Sequence, residues 1–137
     1  MKLLAYRLKA GDPLKEKIEE IVASQNLNSA TVISAVGSLS KVVVRMAGAS
    51  PAAQDIRTYE GSYEVVSLIG NLGQGRTHLH VAFSDSEGNV VGGHLKEGTI
   101  VHTTAELVIA ADNSLLFSEE VDDRTGFGEL RIDKNGN

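Results

Sequence analysis

The chain is predicted to fold as an α+β domain, a largely antiparallel sheet packed with one main helix. Three observations carry this. Leu14, Ile18, Ile21 and Val22 recur at i, i+4, i+7 and i+8, the stripe of one helix face. From residue 30 onward, runs rich in Val, Ile and Thr are punctuated by Gly, Asn and Asp, which is strand texture. A length of 137 residues matches a single compact domain with a core of its own.

The elements follow in order. Residues 3–9 read as a first strand. Gly11-Asp12-Pro13 then reads as a helix start, with Asp12 capping the orphan N–H groups and Pro13 at the first helical position. Lys15, Glu16, Lys17, Glu19 and Glu20 fill the polar face. The helix is expected to stop near Asn26–Asn28, because Asn tolerates a left-handed cap. Residues 30–36 and 41–46 read as two strands separated by Gly37-Ser38. Residues 47–58, with Pro51, read as a loop or irregular edge. Strands are expected at 63–70, 76–85, 90–95, 101–110 and 114–120. The domain is placed at 1–132, with residues 133–137 a frayed tail.

Composition excludes several chemistries. There is no cysteine, so disulfides, thiolate zinc sites, iron–sulfur clusters and cysteine nucleophiles are all ruled out. A transition-metal site would have to be built from His, Asp and Glu. Thirteen basic against eighteen acidic residues leave a net charge of −5, which disfavours a free-standing nucleic-acid binder. Aromatics are only 4%, too few for a base-stacking surface. No membrane-length apolar run and no secretory apolar stretch occur, so the cytoplasm is the expected compartment.

Register arithmetic brings three of the four histidines together. Ser86-Glu87-Gly88 has the length and the glycine of a three-residue hairpin loop. If Asp85 pairs with Asn89, His80 sits opposite His94, and His78 lies two residues along on the same face. On the other face Leu79 meets Leu95, Val81 meets Gly93 and Phe83 meets Val91, a plausible core. A slip of one residue would mix the two faces. Ala82 opposite Gly92 leaves space beside the imidazoles. His78, His80 and His94 are therefore candidate ligands of a divalent metal, most simply zinc, with a fourth position open. The competing reading is three polar residues on an outer hairpin face. His102, on a face with Thr104 and Glu106, reads as a surface residue.

Other motifs are absent. Gly73-Gln74-Gly75 lacks the Lys and the helix of a phosphate loop. The acidic group Glu119, Glu120, Asp122 and Asp123 lacks the ligand spacing of a calcium loop and reads as a solvated turn. No catalytic or cofactor-binding residue is assigned, and whether the chain is an enzyme stays open.

Gly75-Arg76-Thr77-His78-Leu79-His80, followed by Gly88-Asn89-Val90-Val91-Gly92-Gly93-His94-Leu95, resembles the plants-and-prokaryotes-conserved (PPC) domain. Residues 61–70 and 123–130 are similar to its central strand and closing segment. The resemblance implies a stand-alone prokaryotic member: a compact α+β fold, a homotrimer, a DNA-associated or regulatory role, and a three-histidine metal unit that maps onto His78, His80 and His94. Plant members add a basic AT-hook. This chain has none, so its own contact with DNA is expected to be weak. Three readings stay open: a DNA-associated or regulatory protein with a metal site, a metal-dependent enzyme or small-molecule binder, and a structural or protein-interaction module.

Overall fold

The structure is a computed structural model and describes residues 1–136. Its elements are β1 (Lys2–Lys9), α1 (Leu14–Ser24), β2 (Ala30–Arg45), β3 (Ile56–Gly73), β4 (Arg76–Ser84), β5 (Val90–Leu95), β6 (Ile100–Ala111), β7 (Leu115–Val121) and β8 (Gly128–Lys134). One helix and a mostly antiparallel sheet make the expected α+β domain. Six strands run in the order β1-β6-β2-β3-β4-β5, and β7 and β8 form a separate two-stranded sheet.

The helix buries the stripe read from the sequence: Leu14, Ile18, Ile21 and Val22 all lie in the core. Its start differs from expectation. Pro13 stands just before the first helical residue, and no side chain caps the helix. The Asp12 carboxylate instead accepts the Lys9 N–H at 2.8 Å. The Leu14 N–H, an orphan donor of the first turn, goes to the Thr99 carbonyl at 2.8 Å. A long-range backbone contact thus replaces the local cap. At the other end Asn26 takes a φ of 51°, and the Leu27 N–H reaches back to the Val22 carbonyl.

Gly37-Ser38 does not break the chain. β2 is one strand of 16 residues with register shifts along it. A Cβ on Gly37 would collide with the backbone of Thr104 and Ala105 on β6. The glycine therefore serves close strand approach, not a turn. β3 likewise starts at Ile56, earlier than expected, because it pairs with β2 from Arg45↔Ile56 onward.

The sheet also closes on itself. Val44 and Arg45 of β2 pair with Leu95 and His94 of β5, joining β2, β3, β4 and β5 into a ring. Inside lie Val42, Val44, Leu68, Leu79, Val81, Phe83 and Leu95, each at most 2% exposed. β8, which had no counterpart in the sequence reading, pairs with β7 through Leu115↔Lys134. The expected tail at 133–137 therefore begins inside a strand. Asn137 lies outside the described residues.

Candidate metal centre

The site is built on the β4–β5 hairpin. Its turn closes through Asp85 N–H to the Asn89 carbonyl and Gly88 N–H to the Asp85 carbonyl, both at 3.0 Å. Gly88 takes a φ of 82°, the left-handed position that a three-residue loop requires. One Asp85 carboxylate oxygen accepts the N–H groups of Glu87 and Asn89, each at 2.9 Å. The register is the expected one: His80↔His94, Val81↔Gly93, Ala82↔Gly92 and Phe83↔Val91.

Three imidazoles therefore meet on one face. Their ring centres are 5.1 Å (His78–His80), 5.0 Å (His78–His94) and 5.8 Å (His80–His94) apart. Each offers a ring nitrogen, and these three atoms lie within 4.8 Å of one another. Nitrogens on one tetrahedral zinc at ~2.0–2.1 Å lie ~3.3–3.4 Å apart, so the rings must draw together by up to ~1.5 Å to share an ion. His80 is exposed, and His78 and His94 are half-buried. His102 lies exposed on β6, outside the cluster.

The electrostatics favour neutral rings. Burial pushes His94 down to about 4, with Arg45 and the other two histidines adding to the shift. Burial, then His80 and Arg76, also lowers His78. A metal ligand must be the neutral imidazole, so these shifts keep His78 and His94 ready at neutral pH.

Two arginines that the sequence reading did not single out flank the rings. Arg76 is 3% exposed. Its guanidinium donates to Asn71 Oδ1 and Glu119 Oε1, both at 2.9 Å, and lies 3.2 Å from His78 Nδ1. Arg45, placed opposite His94 by the β2–β5 pairing, approaches His94 Nδ1 at 3.5 Å. Its guanidinium sits 4.9 Å from the Phe127 ring centre. Arg76 could have been suspected, being two residues before His78 on the same strand face. Nothing local marks Arg45, which arrives from a strand about 50 residues away. The acidic group divides: Asp122 folds back on Arg124 as a solvated turn, whereas Glu119 reaches Arg76 beside the site.

Clefts open on both sides of the histidines. One is lined by Met46–Ala49, His80, Gly92 and His94, the space that Ala82 and Gly92 foreshadow. The other runs under the β7–β8 hairpin past His78, His94, Phe127 and Glu129.

Fold and site together define a small α+β domain that presents three histidines from a closed ring of strands. The chain belongs to the Plants and Prokaryotes Conserved (PCC) domain family, whose profile matches residues 1–112. It is 37% identical over 134 residues to the Bifunctional protein GlmU of Synechococcus sp. (strain JA-3-3Ab). That match takes in 98% of this chain and 21% of GlmU, so the chain spans about a fifth of the length of the curated relatives it matches. Among solved structures it is similar to a hypothetical protein from Salmonella cholerae-suis, with a TM-score of 0.92, 34% identity, and 98% and 94% of the two chains covered. Two more distant structures share the fold. One is a metal-containing protein from Archaeoglobus fulgidus, with a TM-score of 0.78, 23% identity, and 96% and 94% covered. The other is a candidate DNA-binding protein from Bacteroides thetaiotaomicron, with a TM-score of 0.83, 18% identity, and 94% and 91% covered.

Proposed function

We propose that this chain is a metal-binding PCC-domain protein that holds one divalent ion, zinc, through His78, His80 and His94, and that its open side receives a small-molecule ligand. The convergence of three ring nitrogens within 4.8 Å carries this reading. Imidazole nitrogens suit zinc, which imposes no geometry of its own and tolerates a three-protein-ligand site. When bound, such an ion supplies a Lewis acid and can activate a water near neutral pH. The clefts on either side favour ligand access over a closed structural site. The distant Archaeoglobus neighbour, named as metal-containing, is in keeping with this.

DNA association is the weaker reading. A distant neighbour is named a candidate DNA-binding protein, but eighteen acidic against thirteen basic residues leave this chain at −5. Contact with DNA would rest on few phosphates and fall steeply with salt. We read the assembly as a homotrimer, as the family resemblance implies; Ile33, Val36, Val66 and Ile69 on β2 and β3, each more than half exposed, offer an apolar face for association. A monomer in sedimentation at micromolar concentration would sink that.

The test is metal analysis of untagged protein, followed by calorimetric titration. One ion per chain is expected. His94→Ala should weaken binding by at least ~100-fold, since even outer partners of a metal ligand are worth 10–100-fold. His102→Ala should bind like the wild type. Equal affinity in wild type and His94→Ala would refute the site.

A further inference from the structure

The cleft between the histidines and the β7–β8 hairpin has a volume of about 240 Å³ and is lined by Arg45, Arg76, His78, His94, Phe127 and Glu129, among others. Its two arginines are unequally served. Arg76 is held by Asn71 and Glu119 as well as facing His78. Arg45 has no carboxylate within ion-pairing reach among the described residues. Its side chain has one hydrogen-bond contact, the 3.5 Å approach to His94 Nδ1.

That contact is incompatible with metal ligation. Arginine only donates, so His94 Nδ1 must be the acceptor, and a neutral imidazole has a single free lone pair. If the metal takes Nδ1, Arg45 is displaced. If the metal takes Nε2, the proton moves to Nδ1 and the acceptor disappears. Either way Arg45 loses its one side-chain acceptor within the protein, and its donors face the cleft, free to take an anion. The local charge points the same way. Arg45 and Arg76 are balanced by Glu119 and Glu129 around this cleft, so a divalent ion adds positive charge with nothing to offset it.

We propose that this cleft is an oxyanion subsite, in which Arg45, stacked on Phe127, binds the carboxylate or phosphate of a small molecule that lies against the histidine-held metal. The inference rests on the metal reading above. Guanidinium matches both headgroups through paired N–H donors. The cleft volume of about 240 Å³ has room for a small acid or phosphate.

Cobalt(II) in place of zinc provides the readout, because its visible spectrum reports the ligand shell. The cobalt-loaded protein is titrated separately with acetate and with inorganic phosphate, each to ~10 mM at constant ionic strength. A saturable spectral change with at least one anion is expected, and the stronger response identifies the headgroup. Arg45→Met should keep the cobalt spectrum and weaken the anion at least tenfold. Arg45→Lys should recover part of that loss. Arg131→Met, outside the cleft lining and paired with Asp133, should behave as wild type. A cobalt spectrum indifferent to both anions, or an anion response undiminished in Arg45→Met, overturns the subsite and leaves the metal reading standing. Absence of any cobalt spectrum overturns the metal reading and the subsite with it.

Discussion

Two hairpins meet over the histidines. In β4–β5 one face is core: Leu79, Val81, Phe83 and Leu95 are at most 2% exposed. In β7–β8 no residue from Leu115 to Lys134 is fully buried. The first lies inside the segment that matches the family profile, which ends at residue 112, and the second lies beyond it. The first carries all three candidate ligands. The second carries Phe127 and Glu129, which wall one cleft, and Glu119, which pairs with Arg76. A face pinned by burial can hold ligand atoms in fixed register. A hairpin with no fully buried residue, tied to the rest by the Phe117 N–H to the Asn28 carbonyl, the Glu119–Arg76 pair and the Arg45–Phe127 contact, can vary with less harm to the core. The difference teaches that donor geometry and cleft shape are carried by separate parts of this chain.

The sharpest way to break this comparison is to truncate an aromatic on each side. Phe83→Ala empties a site packed by Tyr59 and Tyr63 at ring distances of 5.4 Å and 5.1 Å. It should cost ~3–5 kcal/mol in urea denaturation. Phe127→Ala should cost under ~1 kcal/mol, as a half-exposed residue does. Comparable losses from the two would show that the second hairpin is as integral as the first.

The link between the hairpins comes next. Arg76 has a side chain 2% exposed and Glu119 one 46% exposed, 2.9 Å apart. Glu119→Gln leaves the buried guanidinium without its anion, though Asn71 remains. A loss of roughly 1–3 kcal/mol is expected, with earlier proteolysis of the β7–β8 hairpin. An unchanged protease pattern would mean that the hairpin is docked by something other than this pair.

The smallest effect is on pH dependence, read on metal-free protein. An unfolded histidine takes its proton near ~6.5, whereas folded His94 does so at about 4. Between these values the unfolded chain holds more protons. Stability is therefore full above ~6.5 and falls as pH drops toward ~4. About 1–2 kcal/mol is expected, discounted because the ring is half exposed. His94→Gln should flatten this part of the profile relative to wild type. Identical slopes would contradict the burial of the ring.

Legibility followed the range of the interactions. Helix α1 and the β4–β5 hairpin were readable because their signals are local: a stripe with helical spacing, and a glycine turn between alternating strands. The readings that failed had local signals overruled from afar. Asp12 looks like a cap, but the Thr99 carbonyl already takes the donor at the helix start. Gly37 looks like a break, but β6 lies too close for any side chain there. The β7–β8 pairing was missed because neither strand shows a buried alternation, and its role at the site depends on Glu119 reaching Arg76.

By itself the sequence determined that His78, His80 and His94 share one face, since two-residue alternation keeps Leu79, Val81 and Phe83 inside and a three-residue turn at Ser86-Glu87-Gly88 sets His80 opposite His94. Only the tertiary structure decided what surrounds them. The β2–β5 pairing that closes the ring delivers Arg45 to His94, and docking of β7–β8 sets Phe127 over that guanidinium. Ring closure joins segments about 50 residues apart, and its geometry is set by the packing of the whole barrel interior, which no local pattern in the chain encodes.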